Sequence, residues 1–78
     1  MGAHDNEFRW NFWNRHQVEK HGLTPREVEF VVRLAKHPYP RRYKRKNGWE
    51  VRGQIPTGEL VKVLYFIEDD LIYVYHAQ

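Results

Sequence analysis

The sequence contains no cysteine. That excludes a disulfide framework, a thiolate metal site and a cysteine nucleophile. No apolar run approaches the length of a membrane-spanning helix, and the N-terminus shows no signal peptide. No nucleotide-binding glycine loop, nucleophile elbow or H-E-x-x-H pattern occurs. The expectation is a soluble, cytoplasmic protein in which residues 1–78 form a single domain. A chain this short buries only about two thirds of its unfolded surface. Three Trp, five Tyr and four Phe offset that limit, because each ring buries much area at modest entropic cost.

The stretch Leu60-Val61-Lys62-Val63-Leu64-Tyr65-Phe66-Ile67 is almost unbroken apolar, rich in β-branched and aromatic residues and free of Gly and Pro. It reads as the central strand of a sheet. Trp49–Ile55 precedes it across Pro56-Thr57-Gly58, and Leu71–His76 follows it across Glu68-Asp69-Asp70. Short turns between three such runs predict an antiparallel meander. Upstream, Glu7–Trp10 alternates and is a candidate N-terminal edge strand.

Two helices are predicted between them. The first follows Asn11 as N-cap and ends at Gly22, which suits a left-handed C′ position with apolar Leu23 after it. Trp10, Trp13 and Gln17, flanked by Phe12 and His16, form its aromatic face. The second starts at Thr24-Pro25-Arg26-Glu27, a capping box with Pro in the first turn. Val28, Val31, Val32 and Ala35 give its apolar stripe, widened by Phe30 and Leu34. His37-Pro38-Tyr39-Pro40 ends it. The fold class that follows is α+β: an antiparallel sheet with two helices packed on one face.

Charge is distributed unevenly. The net charge is +3, yet Lys36, Arg41, Arg42, Lys44, Arg45 and Lys46 lie within one stretch that holds no acid. The remainder carries seven bases against ten acids, a balance of −3. Such a segment suits a polyanionic partner, and Arg41, Arg42, Lys44, Arg45 and Lys46 are the candidate RNA-binding residues. The plainer alternative is a solvated loop. Asn47-Gly48 is a tight-turn signal beside it.

The pleat sorts the sheet residues into two sets. Val51, Ile55, Val61, Val63, Tyr65, Ile67, Ile72 and Val74 are expected to face the helices. Glu50, Arg52, Gln54, Lys62, Leu64, Phe66, Tyr73 and Tyr75 then share the opposite face. Cations there can hold phosphates and rings can stack on unpaired bases. An ordinary half-exposed sheet would show the same composition.

The five His are scattered without metal-ligand spacing, and the acidic Glu68-Asp69-Asp70 reads as a turn, so no metal site and no cofactor are expected. RNA cleavage needs neither. A base can activate the 2′-hydroxyl, cations can stabilise the phosphorane and an acid can protonate the leaving oxygen. Arg52 and Lys62 are the candidate stabilisers, Tyr73 a proton-transfer or stacking residue, and His76 a conditional base. Glu50 and Tyr75 are further titratable groups on that face. By simple alternation His76 falls on the parity opposite to Tyr73, so it joins the site only if the strand end twists.

Several stretches resemble the BrnT family of toxins. They are Phe8-x-Trp10-Asn11-x-Trp13-Asn14 and Lys20-His21-Gly22-Leu23-Thr24-Pro25-x-Glu27-Val28, then Arg52-Gly53-Gln54-x-Pro56-x-Gly58-x-Leu60, Val61–Phe66 and Ile72–Ala77. The similarity runs from Phe8 nearly to the end. It implies a RelE-like fold, a type II toxin–antitoxin setting, a metal-independent endoribonuclease that arrests translation, and a cognate antitoxin protein as partner alongside RNA. In that family the closing strand typically carries arginines where Tyr73 and Gln78 stand, and a small hydroxyl residue where His76 stands. The alternative is a non-catalytic binding module of the same fold that docks an antitoxin-like protein or nucleic acid.

Overall fold

A computed structural model describes residues 4–43 and 48–78. The order is α1 (Phe12–Glu19), α2 (Pro25–Arg33), β1 (Arg41–Tyr43), β2 (Gly48–Gln54), β3 (Leu60–Glu68) and β4 (Leu71–Ala77). The four strands form one antiparallel sheet in the order β1-β2-β3-β4, with β3 inside it. The architecture is α+β, with both helices on one face. Among the described residues, no helix is long and apolar enough to cross a membrane.

Local chemistry sets the helix ends. Asn11 and Asn14 cap α1 reciprocally: Asn11 Oδ1 accepts from the Asn14 backbone N–H, and Asn14 Oδ1 accepts from that of Asn11. Thr24 and Glu27 form the same box on α2, where Pro25 needs no hydrogen-bond donor. After α1, Gly22 takes φ +79°, and the N–H of Leu23 reaches back to the Val18 carbonyl. This is the predicted stop, and it turns Leu23 into the core.

The apolar residues expected on α2 and the strands, joined by Val18 of α1, build that core. Val18, Val28, Val31, Val32, Val51, Val61, Val63, Tyr65, Ile72 and Val74 are buried together, with Ile67 packed at the margin. Each fully buried large apolar side chain of this kind contributes about 1.5–3 kcal/mol. Tyr65 is fully enclosed, and its hydroxyl shares a 2.7 Å hydrogen bond with His4 Nδ1. At the sheet margin Gly48 is required by close approach: a Cβ there would stand 2.7 Å from the Tyr65 carbonyl oxygen.

Two details differ from the sequence reading. Glu7–Trp10 makes no full strand; Phe8 forms a single parallel bridge with Ile72 on the outer edge of β4. The fourth strand is instead β1, from the basic segment. On α1 the inward residues are Asn14 and Val18, while Phe12 and Trp13 are 77% and 70% exposed. The capping pair sets the rotation, because Asn14 also donates to the Arg9 carbonyl and must lie inward. The β3–β4 turn falls at Asp69 and Asp70, within the stretch read as a turn, and both residues have positive φ, +52° and +67°. That conformation matches the right-handed strand twist of a two-residue hairpin.

Candidate functional site

The sheet face away from the helices holds the candidate residues, and strand register fixes their spacing. Arg52 pairs directly with Lys62 across β2 and β3. On the other side of Lys62, Gln78 extends β4: the Lys62 N–H donates to its carbonyl at 2.7 Å, and the Gln78 N–H returns the bond at 3.0 Å. Arg52, Lys62 and Gln78, with Leu60 and Val61, line a hollow of about 280 Å³.

His76 joins this group through a β-bulge. Val74 pairs with Tyr65 and His76 pairs with Leu64, so Tyr75 is an extra residue on β4. The bulge resets the alternation and carries His76 to the face shared by Leu64 and Lys62. Simple parity had placed it on the other side. Burial lowers its pKa first, and the nearby charges of Lys62, His21 and Lys20 lower it further. The imidazole is therefore neutral at neutral pH and able to accept a proton. His21, at the end of α1, stands with its ring centroid 6.0 Å from that of His76. Neither Lys20 nor His21 was among the site candidates read from sequence, and their nearness to β4 arises from the packing of α1 along that strand.

Glu50 is the buried charge of this face, 5% exposed. Arg52 Nε donates to its Oε2 at 2.6 Å, and Arg41 Nε donates to its Oε1 at 3.2 Å. Burial alone would raise the Glu50 pKa, but the bonds from Arg52 and Arg41 and their charges outweigh it and hold the carboxyl below its ordinary value. The same bond raises the pKa of Arg52 and fixes the direction of its guanidinium. A row of charged side chains thus crosses the sheet through Arg41, Glu50, Arg52 and Lys62.

Tyr73 lies apart from that row. It pairs with Phe66, which is four residues along β3 from Lys62, about 13 Å away. There it forms an aromatic group, with Phe66 5.1 Å from Tyr73 and 5.8 Å from Tyr75 between ring centroids. The Tyr75 pKa is raised by burial and then by Tyr43. The open face is thus divided into a cationic end and an aromatic end.

The basic segment is divided as well. Arg41 pairs with Glu50 on the open face, and its guanidinium lies 5.3 Å from the Tyr39 ring. Arg42 pairs with Trp49 and covers that ring at 5.0 Å, on the helix side. Strand alternation separates the two arginines. Lys44, Arg45 and Lys46, and the Asn47 half of the predicted turn, lie outside the described residues.

No protein-family model, no curated protein and no solved structure matches this chain.

Proposed function

We propose that the chain is a BrnT-like toxin: a metal-independent endoribonuclease that acts on single-stranded RNA across the open sheet face. The observation that carries this reading is the Arg52–Lys62 pair standing beside a neutral His76. The two cations are placed to hold one phosphate and to stabilise the charge that grows on its oxygens. His76 removes the proton of the neighbouring 2′-hydroxyl. The 2′-oxygen attacks phosphorus and forms a cyclic phosphate, and the 5′-oxygen leaves and takes a proton from solvent. Tyr73, at the other end of the face, joins Phe66 and Tyr75 as a platform for flanking bases. Arg41 extends the phosphate track, and the setting is that of a toxin held by an antitoxin protein.

A second reading, a non-catalytic binding module, is favoured by one feature. Glu50 takes up part of the charge of Arg52, which weakens the stabiliser while leaving the face suited to docking. Expression in a bacterial host separates the two. The toxin reading expects growth arrest that Arg52→Ala and Lys62→Ala each abolish, with both variants folded by circular dichroism. Arrest of equal strength from the double variant rejects the assigned site.

A further inference from the structure

A second concavity lies on the α2 side of β2. It has a volume of about 520 Å³ and is walled by Phe30 and Val31 of α2 and Leu34 at its C-terminal cap, by Leu60, and by Lys36 and Arg52 at its rim. His37, Tyr39, Gly53 and Gln54 complete it, and no Asp or Glu contributes. Phe30, Leu34 and Leu60 are 37%, 54% and 74% exposed, although each is a large apolar side chain. Phe30 and Leu34 stand one helical turn apart, so their side chains lie one above the other. β1 pairs with β2 only from Gly48 to Glu50, so Arg52, Gly53 and Gln54, paired with β3 on their inner side, border the groove with no strand on their outer edge among the described residues. Apolar walls of this kind, rimmed by charge, mark protein-binding grooves.

We infer that this groove binds a polypeptide segment whose apolar side chains are flanked by carboxylates. The walls favour a protein over a nucleic acid: Phe30, His37 and Tyr39 present rings to either, but the exposed aliphatic side chains of Leu34 and Leu60 are covered by apolar side chains and not by a sugar-phosphate backbone. The rim selects acidic residues, because it supplies Lys36 and Arg52 and nothing that a basic segment could pair with. Arg52 also lines the smaller hollow beside Lys62 and Gln78. An occupant that pairs with Arg52 in the groove therefore withdraws it from a phosphate on the open face. The binding does not depend on the chain cleaving RNA; only this competition rests on the proposed function.

The test uses a fluorescent synthetic peptide, an amphipathic helix with Leu on one face and Glu on the other, and an otherwise identical peptide carrying Lys for Glu. Anisotropy titrations are run with the intact protein, with Leu34→Glu and with Trp13→Ala, an exposed aromatic distant in sequence from the groove. The acidic peptide is expected to bind, to lose about tenfold or more in affinity with Leu34→Glu, and to change less than about twofold with Trp13→Ala. Amide shifts in an NMR titration are expected to centre on Phe30, Leu34 and Leu60. Absence of binding, equal binding of the lysine peptide, or equal loss in Trp13→Ala overturns the inference. Self-association that Leu34→Glu abolishes would assign the groove to a second copy instead. Binding of oligouridylate that Leu34→Glu weakens, with no binding of the acidic peptide, would assign it to RNA. Failure of RNA cleavage with peptide binding intact counts against the proposed function alone.

Discussion

His76 stands directly across β3 and β4 from Leu64, with Tyr75 bulged between that pair and the Val74–Tyr65 pair. Without the extra residue, His76 would project toward the helices. With it, the imidazole lies beside Lys62 on the face that carries Arg52. Its pKa is below the ordinary 6.5, so it gains its proton only as pH falls through that lower value. The base-competent form is the neutral one. RNA cleavage is therefore expected to rise with pH through a midpoint below 6.5 and to be level at neutral pH. A kcat/KM profile from weakly acidic to neutral pH checks this, and His76→Gln is expected to remove the rising limb along with most of the activity.

Glu50→Gln removes the charge that holds Arg41 and Arg52 together. The two arginine side chains are 50% and 54% exposed and can rehydrate, so the cost is at the lower end for charged hydrogen bonds, about 1–2 kcal/mol. Urea denaturation of the variant is the measurement. An unchanged midpoint would show that the buried carboxylate contributes nothing net.

On α1 the expected order of sensitivity is the reverse of the order of side-chain size. Trp13→Ala removes an exposed ring and is expected to change stability by less than about 0.5 kcal/mol. Asn14→Ala loses one half of the capping box and the bond to the Arg9 carbonyl, and leaves a cavity; a cost of about 1–2 kcal/mol is expected. Thermal melts of the two variants compared with the parent decide between this and an inward-facing Trp13.

These contrasts show which features the sequence made legible. The Thr24–Glu27 box, the Gly22 stop and the three-strand meander each rest on side chains adjacent in the chain, and short-range patterns report such contacts directly. The inward set around Val63 and Tyr65 was legible because β3 keeps strict alternation through Phe66 and Ile67. The position of His76 was not, because a bulge leaves Tyr73-Val74-Tyr75-His76 looking like uninterrupted alternation. The rotation of α1 was hidden for a similar reason: Trp13 and Asn14 are neighbours, and only the Asn11–Asn14 cap decides which of them turns inward. The burial of Glu50 depended on Arg41, nine residues away in sequence, and on a strand pairing that the basic segment did not advertise.

Val63 is fully enclosed at the centre of β3, opposite Val51 on one side and Ala77 on the other. Val63→Ala should cost about 1–3 kcal/mol through lost burial and the cavity left behind. A urea melt with no midpoint shift would mean that the side chain faces away from the core.

Cleavage of a single-stranded RNA by the purified protein in the presence of EDTA tests the central claim most directly. Parent, Arg52→Ala and Lys62→Ala proteins are compared at equal concentration. The expected result is cleavage by the parent that EDTA leaves unchanged, with cyclic-phosphate ends on the product, and a loss of at least about a hundredfold in each variant with the fold intact. No cleavage by the parent, or equal cleavage by the variants, would contradict an active site built on Arg52 and Lys62.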